Sequence, residues 1–218
     1  MRWFKVLLAT MVGSLGAATA LAEQAASGSG FYTRFDTGPS FSDGSGGTLG
    51  TDLGTAGIAG VGLGYRFSPN FRSDFTLGYR GGYSIGGTSG PGFNVGGTDA
   101  SALTGMVNGY VDLGTYGRFT PYIGAGLGFS RNEIDTIRGN VGGTVLQLQG
   151  DDHTGFAWQT SAGTAVDLGR GLALDLGYRY ADLGLVRTHA GNLGAVGLDA
   201  ADGHLRGHEV QLGLRYQY

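Results

Sequence analysis

The sequence predicts an eight-stranded antiparallel up-and-down β-barrel that spans a membrane, with short turns at one end and four long loops at the other. Three observations predict it. Apolar residues alternate with small or charged residues in segment after segment, which indicates strands with two unlike faces. Short and long connections also alternate along the chain. Finally, the charged residues of the predicted strands fall on the face opposite the apolar one, as expected where the apolar face contacts lipid.

The pattern is clearest in residues 155–184. Its second half places Leu172, Leu174, Leu176, Tyr178 and Tyr180 on one face and Ala173, Asp175, Gly177, Arg179 and Ala181 on the other. The exposed face of a soluble sandwich seldom carries so much Gly and Ala, whereas a narrow lumen requires small residues. The first half of the segment alternates in the same way. Gly169-Arg170-Gly171 joins the two halves and predicts a tight hairpin turn, because glycine readily adopts positive φ.

Composition agrees with a membrane barrel. The chain has 218 residues, 46 of them glycine, and 41% of its residues are hydrophobic. That fraction is ordinary for a soluble domain and gives no indication of membrane helices, but it suits strands of which every second residue faces lipid. The formal net charge of −3 argues against nucleic acid as a partner. The absence of cysteine excludes a lipoprotein with an acylated N-terminal Cys.

Residues 1–22 predict a cleavable export signal. Arg2 and Lys5 give a basic start, and a short apolar segment rich in Gly, Ala and Thr follows. Ala20-Leu21-Ala22 has the A-x-A form of a cleavage site, which predicts Glu23 as the mature N-terminus. A transmembrane anchor is the alternative, but the apolar segment is shorter than the roughly 18 residues that a spanning helix needs. The predicted domains are therefore a signal peptide, 1–22, and a barrel domain, 23–218.

The predicted strands cover residues 31–41, 56–67, 71–83, 100–113, 119–131, the two strands of the 155–184 hairpin, and 208–218. The short connections are 68–70, 114–118 and 169–171, and the long ones are 42–55, 84–99, 132–152 and 185–207. Short periplasmic turns and long extracellular loops are typical of outer-membrane barrels. Within the third long loop, residues 144–149 alternate again, which predicts that they extend the fifth and sixth strands above the membrane.

The phase of the charges predicts an ionic network in the lumen. It would contain six arginines and six carboxylates: Arg34, Arg66, Arg72, Arg80, Arg179 and Arg215 with Asp36, Asp74, Asp112, Asp167, Asp175 and Glu209. An arginine facing lipid at mid-membrane would cost roughly 2–4 kcal/mol. Unpaired charges inside would also be costly, so we expect these groups to be paired. Glycines at a spacing of two, as in Gly60, Gly62 and Gly64, predict relief of crowding inside the lumen rather than a phosphate-binding loop.

Several segments resemble the small outer-membrane β-barrel proteins, in particular the porin-family surface antigens of alphaproteobacteria and their opacity-protein and OmpA-barrel relatives. The segments are TPYIGAGLG from Thr120, LDLGYRY from Leu174 and the ending HEVQLGLRYQY from His208. The resemblance implies eight strands in the outer membrane of a Gram-negative cell, in contact with lipid and lipopolysaccharide. It also implies that the barrel-assembly machinery recognises the last strand through Leu212, Leu214, Tyr216 and Tyr218.

The sequence favours a structural role in the cell envelope, with long loops that bind a surface ligand. A small passive channel is one alternative, although an eight-stranded barrel is only wide enough to be filled by side chains. A lipid-modifying enzyme is another, with His153 and Asp151 or Asp152 as candidate catalytic groups, but no spacing favours a triad. His189, His204 and His208, beside Asp199, Asp202 and Glu209, match no tight metal motif. We therefore expect no catalytic residue, metal or cofactor.

Overall fold

The computed structural model describes residues 29–43, 54–85, 88–96, 98–148, 152–187, 191–193, 196–198 and 202–218. Within these ranges the chain forms fourteen β-strands. The described residues contain no helix that is long and apolar enough to cross a membrane. The predicted signal peptide, with Ala20 and Ala22 at its cleavage site, lies outside the described residues.

Eight long strands close into an antiparallel barrel, as the sequence predicts. Each pairs with its neighbour among the eight along the chain, and the first pairs with the last through Tyr32 and Gln217. Closure leaves the barrel without a free edge, which is what a sheet in lipid requires. The barrel strands are β1 (Gly30–Ser42), β2 (Thr55–Ser68), β3 (Phe71–Ile85), β6 (Thr98–Asp112), β7 (Phe119–Ile134), β10 (Asp152–Gly169), β11 (Leu172–Arg187) and β14 (Asp202–Gln217).

The strand ends at the short turns agree closely with the sequence, whereas the opposite ends run further than predicted. β14 begins at Asp202 rather than at residue 208, and β10 begins at Asp152. Backbone pairing continues there beyond the region where one face must be apolar, so alternation does not reveal it. At the other end, Gly169, Arg170 and Gly171 have φ values of 86°, 57° and 77°, which is the tight turn that the sequence predicts.

Three of the long loops form a second sheet beyond the barrel. Its six strands are β4 (Thr88–Gly90), β5 (Phe93–Val95), β8 (Ile137–Val141), β9 (Thr144–Leu148), β12 (Gly191–Leu193) and β13 (Val196–Leu198). The order β13-β12-β9-β8-β5-β4 joins the fourth, third and second loops side by side. The prediction that residues 144–149 extend the barrel strands is therefore wrong. β9 pairs with β8 and β12 instead, because Gly142 and Gly143, both at positive φ, turn the chain into a separate hairpin.

The two faces of the barrel are the reverse of those in a soluble protein. Large apolar side chains are exposed on the outer wall, among them Leu63, Val107 and Leu127, each at least 59% exposed. Arginines and carboxylates are buried inside. The alternation breaks at Gly82, where a bulge in the β3–β6 pairing turns Tyr83 into the interior although Tyr79 faces outward. The apolar face therefore contacts lipid, and the polar groups make up the core.

Candidate functional site: the charged interior and the outer wall

The upper part of the lumen, near the long loops, is organised around Glu209 on β14. Arg80 Nε donates to Glu209 Oε1 and Arg179 Nε donates to Glu209 Oε2, each at 2.5 Å. Arg80 also donates through Nη1 to Thr104 Oγ1 at 3.0 Å. Arg80 Nη2 also donates to Glu209 Oε2, at 3.3 Å. Because the carboxylate accepts from both guanidinium groups, it ties together β3, β11 and β14.

The middle of the lumen is organised around Arg34 on β1. Its Nη2 donates to Asp36 Oδ1 at 2.7 Å, and its Nη1 donates to Asp74 Oδ2 at 3.0 Å and to the Tyr110 hydroxyl at 2.7 Å. Asn108 Nδ2 donates to the other oxygen of Asp74 at 2.8 Å. One guanidinium thus crosses the barrel from β1 to β3 and β6, and these side chains are buried.

The lower part of the lumen holds a second carboxylate shared by two arginines. Arg66 Nη2 and Arg72 Nε donate to the two oxygens of Asp112 at 3.2 Å and 3.1 Å. The Arg72 guanidinium also lies over the rings of Tyr110 and Tyr122, at 4.2 Å and 4.8 Å from their centroids. Stacking on aromatic rings is favourable for a buried guanidinium, and arginine suits such a position better than lysine.

Of the twelve residues predicted for the network, the structure brings eleven into ion pairs. The pairing of Arg215 with Asp175 is the loosest, with 3.5 Å between Nε and Oδ2. The prediction for Asp167 is wrong. Its side chain is exposed at the end of β10, where Oδ1 accepts the backbone N–H of Gly169 in the hairpin turn. Asp167 has the same alternation phase as the lumen-facing residues of β10. It lies at the end of that strand, however, where the side chain is exposed to solvent and no longer inside the barrel. In the described interior, six arginines therefore face five carboxylates.

Uncharged polar groups complete the network, and charge alone does not identify them in the sequence. The Tyr32 hydroxyl donates to Asp74 Oδ2 at 3.0 Å. Gln159 Nε2 donates to Asn108 Oδ1 at 2.6 Å, which connects β10 to β6. The period-two pattern that locates the arginines also places Asn108 and Tyr110 on the lumen face. The same alternation therefore identifies both residues as members of the lumen network.

An apolar layer closes the interior above the ion pairs. It consists of buried small side chains and three larger ones: Ala56, Ala100, Ala102 and Ala181 with Tyr83, Leu183 and Leu205. The Tyr83 hydroxyl is hydrogen-bonded to Ser40 Oγ at 2.7 Å, so its polar end has a partner. The lumen is thus charged over most of its length, and at the extracellular end it contains this apolar layer together with the buried side chains of Ser130 and Asn132.

Glycines on the lumen face make room for these large side chains, as predicted. A Cβ atom at Gly64 would lie 2.3 Å from Tyr32 Cζ, and one at Gly124 would lie 2.5 Å from Tyr110 Cδ1. Real Cβ atoms do not approach other atoms so closely. The glycine spacing in β2 and β7 is therefore a steric complement to the tyrosines on the neighbouring strands.

The other residues singled out in the sequence lie on the outer wall or beyond the described residues. Leu212, Leu214 and Tyr216 are exposed on the outer face of β14, followed by Tyr218, and their role in assembly stays a prediction. His204 and His208 also lie on β14, whereas Asp151, His189 and Asp199 fall outside the described residues. Asp152 is exposed and paired with Arg131 at 2.6 Å. The described residues contain no group of three His, Cys, Asp or Glu side chains placed to hold a metal.

Comparison with known proteins agrees with this geometry. The profile described as "Outer membrane protein beta-barrel domain" matches residues 6–217. An uncharacterized protein of Brucella suis is 34% identical over 191 residues, which cover 73% of this chain and 67% of the relative. A putative adhesin of Rickettsia felis is 31% identical over 170 residues, which cover 72% of each chain.

Two solved structures show the same fold. The structure of Neisserial surface protein A aligns with a TM-score of 0.55 at 21% identity, covering 88% of this chain and 98% of that one. The outer membrane protein OprG of Pseudomonas aeruginosa aligns with a TM-score of 0.52 at 15% identity, covering 87% and 97%. With a closed eight-stranded barrel, an apolar outer wall and a profile match over nearly its whole length, this chain belongs to the outer membrane protein beta-barrel family and resides in the cell outer membrane.

Proposed function

We propose that this protein is a non-conducting, non-enzymatic barrel that supports the integrity of the outer membrane and presents an extracellular sheet for surface interaction. The observation that carries the proposal is the filled interior. Arg72, Arg80, Tyr83 and Glu209 are almost completely buried inside the barrel, held by ion pairs and hydrogen bonds. An eight-stranded barrel has room for such side chains and for little else.

The extracellular sheet supports the interaction half of the proposal. Three loops that could have been independent are joined by backbone pairs between β5 and β8 and between β9 and β12. A paired sheet presents a more defined surface than separate loops, and binding residues are often carried by loops on a rigid scaffold. Relatives named as putative adhesins in Rickettsia are consistent with this proposal.

Conductance measurements test whether the filled interior is closed to ions. Purified, refolded protein in a planar lipid bilayer is expected to give no stable current steps. Steps that appear in the wild-type protein and change in size in the Glu209→Gln variant would show an open lumen and support the passive channel instead. Mass spectrometry of lipid A from cells with and without the protein tests the enzymatic alternative, and we expect identical spectra.

Complementation of a strain that lacks the gene separates the role in membrane integrity from the role in surface interaction. A strain lacking the gene is expected to become more sensitive to detergent and to lose attachment to host cells. A variant in which a short Gly-Ser linker replaces residues 137–148 is expected to restore detergent resistance but not attachment. If that variant restores attachment fully, the extracellular sheet is not the interaction surface. If the deletion strain keeps normal detergent resistance, the envelope role is wrong.

A further inference from the structure

The extracellular sheet has two open edges, formed by its first and last strands, β4 and β13. Within the described residues β4 pairs with β5 alone, and β13 pairs with β12 alone. The barrel below is closed, whereas the order β13-β12-β9-β8-β5-β4 is open at both ends. A further strand can therefore extend this sheet along the outer side of β4 or of β13.

The two edge strands lack the residues that commonly prevent an edge from pairing with another chain. β4 reads Thr-Ser-Gly and β13 reads Val-Gly-Leu, with no charge and no proline. Pro91 lies in the turn that follows β4. Each strand contains a glycine, which often marks a place where a second backbone approaches closely. Their length of three residues is the one protective feature, because a short edge offers few hydrogen bonds.

The two edges run in opposite directions. Five successive antiparallel pairings lead from β13 through β12, β9, β8 and β5 to β4. An odd number of reversals leaves β4 antiparallel to β13. All copies of an outer-membrane barrel share one orientation, with the short turns in the periplasm. β4 of one copy can therefore meet β13 of another copy in the antiparallel sense, whereas two like edges run in the same direction along the membrane normal.

Charge also favours contact between unlike edges. Arg138, on the central strand β8, is the only charged residue in the described strands of this sheet. Asp199 directly follows β13, whereas residues 81–98, which include β4, carry no charge. A contact between two β13 edges would bring together two copies of Asp199, and like charges on paired strands are destabilising. A contact between β13 and β4 brings Asp199 beside a neutral segment.

We propose that neighbouring copies of this protein join their extracellular sheets, with β4 of one copy paired to β13 of the next. Strands of three residues would hold two copies together weakly in solution. In the membrane every copy presents its edges at the same height and in the same orientation. This confinement removes part of the entropic cost of association and raises the effective concentration of the edges.

The contact joins two different surfaces, so each pair of copies keeps one free β4 edge and one free β13 edge. Head-to-tail contacts of this kind repeat into rings or open rows. The inference goes beyond the proposed function, because the partner is a second copy of the chain and not a ligand on a host cell. Attachment to host cells is a separate measurement, so the two proposals can fail independently.

Crosslinking of single-cysteine variants tests the pairing, since the chain has no native cysteine. Ser89→Cys in β4 and Gly197→Cys in β13 carry different tags, are produced together in outer membranes and are treated with a short bismaleimide. A crosslinked species with both tags is expected to be at least fivefold more abundant than the crosslinked species of either variant produced alone. In the matched control, Val145→Cys, at a 64% exposed position of the central strand β9, replaces Gly197→Cys and gives only the background of random collisions.

The backbone register supports the choice of these two positions. Directly opposed residues lead from Ser89 through Asn94 and Asn140 to Val145, and from Gly197 through Asn192 to Gln147. Positions 145 and 147 of β9 lie on one face, because faces alternate with a period of two. Cysteines at positions 89 and 197 therefore project from the same face of the sheet, where a short linker can join them.

A charge-reversal pair and a dilution experiment complete the test. Gly90→Glu, added to Ser89→Cys, puts a carboxylate on the edge that meets Asp199 of the next copy, and is expected to lower the two-tag species at least threefold. Gly90→Lys is expected to keep or raise it. Heat-modifiable gel migration confirms that each variant is folded. The proposal is overturned if Val145→Cys crosslinks as well as Gly197→Cys, if like edges crosslink as well as unlike ones, or if Gly90→Glu and Gly90→Lys act alike. A crosslink within one chain, in Ser89→Cys/Gly197→Cys diluted with wild-type protein, would also overturn it.

Discussion

At the scale of single residues, stability depends on buried charges that have partners. Glu209 is the sharpest case, because its two oxygens are hydrogen-bonded to Arg80 and Arg179. Removing one partner from a buried ionic group leaves an uncompensated charge, which typically costs about 3–5 kcal/mol. A buried network of this kind is expected to be far more sensitive to substitution than a pair on the surface.

The first prediction follows from this contrast. Glu209→Gln is expected to lower the free energy of unfolding by about 3–5 kcal/mol, because two guanidinium groups lose their carboxylate. Asp167→Asn, at an exposed carboxylate, is expected to change it by less than about 0.5 kcal/mol. Urea unfolding of the refolded barrel measures both. Equal effects of the two substitutions would contradict the placement of Glu209 inside and Asp167 outside the network.

A second prediction concerns the glycines of the lumen face. Gly124→Ala is expected to destabilise the barrel by about 1–3 kcal/mol, since the added methyl group would meet the ring of Tyr110. Tyr110 cannot easily move, because its hydroxyl accepts a hydrogen bond from Arg34. Gly109→Ala is the matched control, because a Cβ atom there meets nothing within 4 Å. Thermal unfolding should separate the two variants, and a stable Gly124→Ala protein would contradict the tight packing.

At the scale of elements, the eight barrel strands can be predicted from alternation because the membrane requires an apolar face on each of them. The lower ends of β3, β7 and β11, at Phe71, Phe119 and Leu172, are found where the pattern begins. The strands of the extracellular sheet could not be predicted in the same way. They lie outside the membrane, where nothing requires one face to be apolar. Their pairing partners come from different loops, which local sequence does not reveal.

β-Bulges are a second reason why parts of the structure could not be predicted from the sequence. The bulge near Gly82 turns Tyr83 inward, and the bulge between Asp182 and Leu185 shifts the register of β11 against β14. A one-residue shift moves every later side chain to the other face. The pairing of Asp182 with Arg206 was not predicted, because Arg206 lies outside the predicted strand 208–218. Arg34 and Asp74, by contrast, both have the lumen phase of predicted strands.

A third prediction is made at the scale of the extracellular sheet. β8 and β9 lie in the middle of its order, between the strands of the second and fourth loops. Replacing residues 137–148 with a short flexible linker is expected to make both neighbouring loops more sensitive to protease, since each loses its backbone partner. The barrel itself should stay folded and heat-modifiable. Unchanged cleavage of the second and fourth loops would show that the sheet does not hold them together.

At the scale of the whole molecule, the chain is expected to be made as a precursor. Cleavage after Ala22 is predicted to leave Glu23 as the mature N-terminus. Intact-mass measurement of protein purified from outer membranes checks this prediction. An Ala20→Lys/Ala22→Lys variant is expected to accumulate uncut, because the enzyme that removes the signal requires small residues at these two positions. A mass that includes residues 1–22 in the mature wild-type protein would refute the predicted domain boundary.

Side chains alternate between lipid and a filled interior along the barrel strands. β10 tests it most directly, because the chain has no native cysteine and this strand carries small residues at its centre. Single cysteines replace Thr160, Ser161, Ala162 or Ala165, and each variant is spin-labelled and reconstituted in lipid bilayers. The accessibility of each label to oxygen and to a water-soluble nickel complex is then measured. We expect high oxygen accessibility at Thr160 and Ala162, with low accessibility to both reagents at Ser161 and Ala165. High accessibility of Ser161 and Ala165 to the nickel complex, or similar values at all four positions, would contradict it.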